Sequence, residues 1–285
     1  MAPVAIVTDT CHYLPRQLVA ARGIHEVSLY VHWDGREDRE SELPDFDAYY
    51  AHLTTTGRLP TTSQPSIGDF LSVYEPLLDE GRDVVSIHLA AGMSGTVHAA
   101  EQARAQLGDR GARVHVLDSA SACGGEGLMV LAAHAAAARG IGADEVVAHA
   151  RAARAALKMW FAIDTLEYLR RGGRIAAAQA WLGSALRIKP ILTVESEITP
   201  VERVRTSGRA FERMVDYLRT RHGDGADGWV VQHIQAPQEC ARLVERGREI
   251  YGTDPVFVSE IGPVIGTHVG PGLLGVGAIP LGHLS

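Results

Sequence analysis

Short apolar runs alternate with helical patterns along the first half of the chain. Three runs rich in β-branched residues are predicted as strands, at residues 4–8, 84–89 and 114–117. Helical spacing is clearest at about 15–22 and 127–138. Each strand ends in a loop that carries Asp or Ser. This alternation predicts a mainly parallel sheet covered by helices, with the loop groups gathered where the carboxyl ends of the strands meet.

A second alternation begins near Trp160. The strand-like runs FAID, PILTV, WVVQHI and PVFVSEI are separated by polar or Arg-rich helical stretches. The join lies in a helix-like segment at 150–158. We therefore interpret the chain as two α/β domains, at residues 1–155 and 156–285.

Composition narrows the possible partners and location. The 285 residues are 46% hydrophobic and 21% charged, so the chain can bury a substantial globular core. The formal charge of -7 gives no basic footprint, and nucleic acid is not an expected partner.

The opening MAPVAIVTDT lacks the basic region and cleavage site of a signal peptide. The apolar stretch at 128–138 is interrupted by His134 and is shorter than the roughly 20 residues that span a bilayer. We therefore expect a cytoplasmic protein without stable membrane insertion, and a buried helix at 128–138.

Cysteines and histidines are not spaced as metal ligands. Cys11, Cys123 and Cys240 form no C-x-x-C pair, and the 13 histidines include no H-E-x-x-H motif. We expect reduced structural thiols, no metal and no cofactor. Structural or exposed positions are expected for the histidines His88, His98, His115 and His233.

Ser94 lies in the stretch HLAAGMSGTVHA, at a predicted junction of strand and helix. The turn reads G-x-S-G, one residue shorter than the G-x-S-x-G elbow of serine hydrolases. One hypothesis is a hydrolase in which His268 is the base and Asp118 or Asp9 orients it. Another is an anion site, in which a helix beginning at Ser94 leaves free N–H groups on the two residues that follow. A third is a polar pocket for a phosphosugar or dihydroxyacetone-like molecule.

Asp9 and Asp118 also have a simpler interpretation. An aspartate at a turn from strand to helix is more often a cap than an acid, a base or a metal ligand. We therefore favour capping for both residues.

Seven blocks of sequence occur in one order along nearly the whole chain. They are VAIVTDTCHYLP (4–15), PTTSQPSIGDF (60–70), the Ser94 loop, VLDSASACGGEGL (116–128), IDTLEYLRRGGRIAAAQAWLGSALRIKPIL (163–192), VERVRT (201–206) and IGPVIGTHVGPGLLGVG (261–277). Together they resemble the DegV family, the bacterial fatty-acid-binding proteins that include the FakB components of fatty acid kinase. Ordered motifs of mixed composition are far more specific than any short Gly-rich piece alone.

The resemblance implies a fold and a function. It implies two α/β domains with a long-chain fatty acid in a tunnel between them. It also implies that the carboxylate is presented to a separate kinase subunit for acyl-phosphate formation, and that the chain alone is not an enzyme. Thr62 and Ser94 match the carboxylate contacts of the family, and His268 is a further candidate for the same site. No P-loop motif is present in the sequence to supply ATP chemistry.

Two further sets of residues are candidates for this function. Contacts to the head group or to the kinase are considered for Arg170, Arg171, Arg174 and Arg205, although solvated helix ends and surface ion pairs explain arginines equally well. The tunnel lining is predicted to include Ile163, Leu166, Ile188, Ile191, Leu192 and Leu273, for each of which ordinary core packing is the leading alternative.

The sequence departs from the family pattern at two loops. Thr10, Cys11 and His12 stand where small residues are usual, and the segment 195–197 is acidic where Asp-Gly is commoner. The first departure adds bulk near the predicted ligand. The second is expected to alter a surface that faces a partner.

Overall fold

The structure is a computed structural model that describes residues 2–55, 59–181 and 188–285. The strands in these ranges are β1 (Val4–Asp9), β2 (His25–Val27), β3 (Tyr30–Trp33), β4 (Arg36–Arg39), β5 (Thr61–Ser63), β6 (Asp83–His88), β7 (Val114–Asp118), β8 (Lys158–Ala162), β9 (Lys189–Glu195), β10 (Glu197–Val204), β11 (Gly228–His233), β12 (Phe257–Glu260) and β13 (Leu274–Ile279). The helices are α1 (Arg16–Arg22), α2 (Asp47–Thr55), α3 (Ile67–Asp79), α4 (Thr96–Gln106), α5 (Gly124–Ala138), α6 (Ala143–Ala156), α7 (Glu167–Arg171), α8 (Ser207–Gly223), α9 (Pro237–Tyr251) and α10 (Pro263–Val269).

The first sheet confirms the predicted parallel arrangement. Its four strands lie in the order β2-β1-β6-β7, and every neighbouring pair is parallel. Alternate side chains point to opposite faces, so Ala5 and Val7 pack under α3 and α4, whereas Ile6 packs against α5. The carboxyl ends of β1, β6 and β7 carry Asp9, His88 and Asp118 at one edge.

The second sheet is mixed and contains all four strand-like runs of the second half. Its order is β10-β9-β8-β13-β11-β12, and only the β11–β12 pair is parallel. Helices α8 and α9 cover one face around the fully buried Trp229. The helical join predicted at 150–158 ends at Ala156, and β8 begins two residues later.

Helix α5 lies between the two sheets. It contacts β1 and β6 on one side and β8, β11 and β13 on the other. Nearly all of its side chains are therefore buried, which confirms the buried helix expected at 128–138. Two glycines in its first turn permit this close packing, because a Cβ would lie 2.8 Å from the Gln232 side chain at Gly124 and 3.1 Å from the His12 carbonyl at Gly127. One core cluster thus includes Ile6 and Ile279, from opposite ends of the chain.

A third layer joins residues from the two ends of the chain. The small antiparallel sheet β4-β3-β5 and helix α2 pack against α10, although α10 is more than 200 residues away in sequence. The Tyr50 hydroxyl donates to the carbonyls of Ile261 and Gly262, and the hydroxyls of Tyr49 and Thr267 share a hydrogen bond of 2.5 Å. The hydrophobic core therefore continues across the boundary predicted at 155 and 156, and the two-domain division stays a prediction.

The structure also bears on membrane-spanning helices and on the state of the three cysteines. Across residues 2–55, 59–181 and 188–285, no helix is both long enough and apolar enough to cross a membrane. Cys11, Cys123 and Cys240 are all free thiols.

Candidate ligand-binding site

A cavity of about 350 Å³ lies between the Ser94 loop, β5 and α10. Thr62, Ser94, His268 and Arg174 all contribute to its wall. We call it the polar cavity. Its volume lies within the roughly 300–1,000 Å³ of small-molecule sites. The three residues predicted from the sequence to contact a carboxylate therefore line one cavity.

Ser94 is part of the turn that leads into α4. The amide N–H groups of Met93 and Ser94 both donate to the Ala90 carbonyl, which closes the turn. The Ser94 hydroxyl lies 2.9 Å from the Thr96 hydroxyl and accepts from the Thr96 N–H at 3.3 Å. The helix begins at Thr96 rather than at Ser94, so the Thr96 N–H predicted to be a free donor is already bonded. Either hydroxyl can donate in the Ser94–Thr96 contact, and when Thr96 donates, the Ser94 proton is free to point into the cavity.

Thr62 and His268 form a pair across the cavity wall. Thr62 is fixed by strand pairing, where it lies opposite Val31 of β3. Its hydroxyl oxygen lies 2.9 Å from Nε2 of His268, although the two residues are 206 positions apart. The Nδ1 atom of His268 is buried and faces Gly172, and no described residue forms a hydrogen bond with it.

The environment of His268 keeps its imidazole uncharged at neutral pH. Burial, followed by the positive charge of Arg174, lowers the pKa of His268 to about 4. If Nε2 carries the proton of the neutral ring, that N–H donates to the Thr62 oxygen. The Thr62 hydroxyl proton is then free to point into the cavity. The pair can therefore present a hydroxyl donor to an anion.

A smaller apolar cavity of about 40 Å³ lies next to the polar one. Met93, Ile198, Ile265 and Val269 line both cavities and form a shared wall between them. The remaining wall of the apolar cavity is formed mainly by Ala122, Cys123, Met159, Phe161, Val194, Ile261, Leu273 and Gly275. The combined space has a polar end beside Ser94 and an apolar end beside β8 and β13.

The hairpin of β9 and β10 covers the junction between the cavities. Its tip is Ser196, which adopts a φ of 70° and donates its N–H to the Ala120 carbonyl at 3.0 Å. The Ser196 carbonyl lies so close to Gly92 that a Cβ there would be 2.6 Å from the oxygen. The glycine at position 92 therefore allows the hairpin tip to rest directly on the Ser94 loop.

The predicted tunnel residues divide between four environments. Leu273 lines the apolar cavity, and Ile163 lines a separate cavity of about 220 Å³ beside Lys189. Leu166, Leu192 and the partly buried Ile188 pack in the same core cluster as the cavity wall. The prediction for Ile191 does not fit the structure, because successive strand residues face opposite sides of the sheet and Ile191 packs under α8.

The four candidate arginines are also dispersed. Arg174 lines the polar cavity, is exposed, and donates to the carbonyls of Gly172 and Met93. Arg170 is paired with Glu167 on α7, in agreement with the solvated helix end considered from the sequence. Arg171 is exposed on the same helix, and Arg205 is exposed just beyond β10 and does not line either cavity.

The triad proposed for a hydrolase is not assembled. His268 bonds to Thr62 rather than to Ser94, and the Ser94 hydroxyl bonds to Thr96. Asp118 accepts from the N–H groups of Ala91 and Ala120, which shapes the loop before Ser94. Asp118 thus bonds loop amides and is not the helix cap favoured from the sequence, since neither α4 nor α5 has a side-chain cap.

Asp9 belongs to a buried network that sequence reasoning missed. One Asp9 oxygen accepts from the Cys11 N–H, as a cap, and the other accepts from Leu89 N–H at 3.0 Å and lies 3.2 Å from Nδ1 of His88. Nε2 of His88 lies 2.7 Å from the Ser86 hydroxyl. This Ser–His–Asp geometry has no access to substrate, because all three side chains are 0% exposed. The sequence contained the pattern needed to predict this network, since Ser86 and His88 lie on the same face of β6, beside the end of β1.

The two departures from the family pattern both have partners within the chain. His12 is buried, with Nε2 2.8 Å from Glu26 and Nδ1 accepting from the Leu14 N–H. Glu195 pairs with Arg154 and Lys158, so that part of the expected acidic surface is neutralised internally. In the described part of the chain, no group of three or more His, Cys, Asp or Glu side chains is arranged to hold a metal ion.

Comparison with known proteins adds an independent line of information. A family model described as "Uncharacterised protein, DegV family COG1307" matches residues 3–281. A DegV domain-containing protein of Streptomyces coelicolor is 39% identical over 276 residues, which cover 96% of this chain and 97% of the relative.

Solved structures with the same fold include two described by their ligand. A DegV family protein from Thermus thermophilus, described by its fatty acid binding, is 34% identical with a TM-score of 0.87, and the match covers 98% of this chain and 100% of that one. DegV of Bacillus subtilis, described as a fatty acid binding protein, is 31% identical with a TM-score of 0.88 over 98% and 100% of the two chains.

Proposed function

The chain belongs to the DegV family, and from this premise we propose that it binds one long-chain fatty acid. The carboxylate occupies the polar cavity and the acyl chain extends into the apolar cavity. The observation that carries the proposal is the grouping of Thr62, Ser94 and His268 in one cavity that shares a wall with an apolar one. The fatty acid binding described for the Thermus and Bacillus structures supports the same ligand class.

The polar cavity suits a single carboxylate. The hydroxyls of Thr62 and Ser94 donate to the two carboxylate oxygens, and hydrogen bonds to a charged acceptor are stronger than those between neutral groups. His268 stays neutral and orients the Thr62 hydroxyl through their 2.9 Å contact. Arg174, at the exposed side of the cavity, adds a positive charge that favours an anion.

The acyl chain supplies most of the affinity and requires the apolar cavity to widen. Each buried methylene contributes about 0.8 kcal/mol, so a chain of some 14 methylenes gives on the order of 11 kcal/mol before the cost of association. A volume of about 40 Å³ is smaller than the roughly 150 Å³ cavity that holds one benzene. Met93 and Met159 lie in the cavity wall, and the flexible methionine side chain suits such a rearrangement.

The finer part of the proposal is that the bound carboxylate is presented to a separate kinase. The kinase transfers the γ-phosphoryl group of ATP to a carboxylate oxygen, which yields an acyl phosphate and ADP. Exposed Arg170, Arg171, Arg174 and Arg205 are the candidate contacts to that partner or to its phosphate groups. In this proposal the chain acts in the cytoplasm, needs no cofactor and catalyses nothing alone.

The ligand class is tested by mass spectrometry of lipid extracted from the purified protein. We expect a long-chain fatty acid in close to one-to-one amount, and uptake of palmitate after delipidation. Failure to find a fatty acid, together with no uptake by delipidated protein, would exclude the proposal. Dihydroxyacetone phosphate serves as the polar competitor, and its binding in place of palmitate would favour the phosphosugar alternative.

The kinase step is tested separately with a purified fatty acid kinase subunit and ATP. We expect acyl phosphate, trapped as the hydroxamate, only when the loaded protein and the kinase are both present. Arg205→Ala should lower the rate without changing palmitate affinity, because Arg205 lies outside both cavities. Acyl phosphate formation without the kinase subunit would contradict the proposed non-catalytic role.

A further inference from the structure

Glu40 is a buried carboxyl group that no part of the proposed function uses. Its side chain is 2% exposed and lies in the short helical turn Glu40–Glu42 after β4. One of its oxygens accepts from the Val264 N–H at 2.8 Å and from the Tyr13 hydroxyl at 2.9 Å. The Tyr13 hydroxyl in turn accepts from the Ile265 N–H at 3.2 Å. Glu40 thus holds two consecutive amides in the first turn of α10, one directly and one through Tyr13.

The same helix forms one wall of the polar cavity. Val264, Ile265, His268 and Val269 of α10 all line that cavity. Val264 and His268 are four residues apart, so the amide bound by Glu40 and the imidazole that contacts Thr62 lie about one helical turn apart. We propose that Glu40 is a positioning residue for the fatty acid site, which acts through α10 on His268. This inference rests on the proposed function.

The surroundings of Glu40 make its charge sensitive to pH near neutrality. Burial raises the pKa of Glu40 to about 7, although the hydrogen bonds from the Val264 N–H and the Tyr13 hydroxyl oppose this rise. The charge of Asp9 raises it further. Charged and titratable groups also line a cavity of about 570 Å³ with Glu40, namely His12, Arg16, Glu26, Asp45 and Glu260. Thiols and phenols that interact with the Glu40 charge are those of Cys11, Tyr13, Tyr49, Tyr50 and Cys123. Burial raises the pKa values of these thiols and phenols, so they stay neutral near pH 7.

Protonation of Glu40 weakens its hold on α10. Charge-assisted hydrogen bonds are roughly twice as strong as neutral ones, and those to Val264 and Tyr13 lose this assistance below pH 7. Fatty acid binding should therefore weaken as the pH falls from 8 to 6. By reciprocity, binding should release protons from Glu40 in this range. The pKa of His268, at about 4, keeps its titration outside this window.

The effect on global stability has the opposite sign. The folded pKa of Glu40 lies above its unfolded value, so the folded state binds more protons between those two values. Protonation consequently stabilises the fold while it loosens α10. If Glu40 had only a structural role, its protonation would change the stability of the fold, and ligand affinity would not change in the opposite direction.

The test is the palmitate affinity of delipidated protein at several pH values between 6 and 8, with calorimetry in buffers of different ionisation enthalpy. We expect the wild-type affinity to fall roughly threefold to tenfold toward pH 6, with proton release on binding. Glu40→Gln mimics the protonated group, so its affinity should be low and independent of pH. Glu42→Gln is the matched control, because Glu42 lies on the same turn with a side chain that is 74% exposed.

The outcomes separate this inference from the proposed function. Titration of palmitate itself is common to all three proteins and cancels in the comparison. A flat wild-type profile, or a Glu40→Gln profile identical to wild type, overturns the role of Glu40 alone. Absence of palmitate binding at every pH overturns the proposed function and this inference with it.

A second variant covers the case in which Glu40→Gln does not fold. Tyr13→Phe removes a donor that stabilises the Glu40 carboxylate, so the midpoint of the pH profile should move to higher pH. It also removes the link to Ile265 and should weaken binding at pH 8. An unchanged midpoint, with circular dichroism that shows a folded protein, overturns the inference.

Discussion

The Ser94 hydroxyl is suited in principle to act as a nucleophile or as a hydrogen-bond donor to an anion, and the groups around it distinguish the two roles. A nucleophile needs a base on its oxygen, whereas an anion donor needs only a free proton and a fixed position. The partner of the Ser94 oxygen is Thr96, and the imidazole of His268 bonds to Thr62 instead. These contacts favour the donor role proposed for Ser94 over a nucleophilic one.

Ser94→Ala is expected to weaken palmitate binding by about 1–3 kcal/mol, or roughly 5- to 150-fold, because the charged carboxylate loses a donor. Isothermal titration of delipidated protein measures the change. Ser72→Ala is the control, because Ser72 is exposed on α3 and its hydroxyl donates to the Asp69 carbonyl, away from both cavities. Unchanged affinity in Ser94→Ala would remove Ser94 from the site, and labelling of Ser94 by a fluorophosphonate would favour a hydrolase.

We expect the free energy of unfolding at acidic pH to depend on the protonation of His268. Its folded pKa of about 4 lies below its unfolded value, so the unfolded state binds more protons between these two values. Stability is therefore lost as the pH falls through this window, by up to about 3 kcal/mol at its lower end. Urea unfolding at pH 4 to 7 should show a shallower decline for His268→Gln than for wild type. The exposed His98→Gln is the control, and equal slopes for the two variants would contradict the buried, neutral imidazole.

At the scale of elements, the hairpin of β9 and β10 lies on the Ser94 loop through contact with Gly92. Gly92→Ala would place its Cβ 2.6 Å from the Ser196 carbonyl, so the hairpin tip must move away. We expect a loss of about 1–3 kcal/mol in the free energy of unfolding and faster release of palmitate. Gly208→Ala is the matched control, since a Cβ at position 208 would have no atom within 4 Å and alanine favours helix α8. Equal stability of the two variants would show that the hairpin contact is unimportant.

Strand β13 offers a test of the acyl chain position. Gly275 lines the apolar cavity, and a Cβ there meets only ordinary contacts at 3.6 Å. Gly275→Ala should therefore be tolerated, whereas Gly275→Val should fill the small cavity. We expect Gly275→Val to lower palmitate affinity about tenfold or more while octanoate affinity changes little, because only the longer chain reaches β13. Equal losses for the two ligands would place the acyl chain elsewhere.

Local pattern was sufficient to predict the longer apolar elements, and it failed for short elements, for faces and for distant partners. Three of the four strands of the parallel sheet, β1, β6 and β7, and the buried helix α5 were predicted because apolar periodicity and length determine them, whereas the three-residue strand β2 was not predicted. Ile191 was assigned to the wrong face, since a continuous apolar run does not reveal which alternate residues face the cavity. The Thr62–His268 contact joins residues 206 positions apart, and only the resemblance to a family assigned both residues to one predicted site.

At the scale of the whole molecule, ligand binding should stabilise the entire fold. Both cavities are built from residues on either side of the predicted boundary at 155 and 156, such as Ser94 with His268 and Cys123 with Leu273. At 100 times its dissociation constant, palmitate should add about 2.7 kcal/mol and raise the melting temperature by roughly 4 to 5 °C. Scanning calorimetry of delipidated protein measures this shift. A rise confined to one of two separate transitions would indicate that only one half binds the ligand.

The location of α5 between the sheets has a consequence for synthesis on the ribosome. The helix is complete at residue 138, but β8, β11 and β13, which cover its second side, are made only afterwards. A nascent chain that has emerged only as far as α6 therefore exposes an apolar helix surface to water. Such a surface invites association with other chains until the last strand, β13, has been translated. Chaperones that bind nascent chains would therefore contact a surface of α5 that is buried once folding is complete.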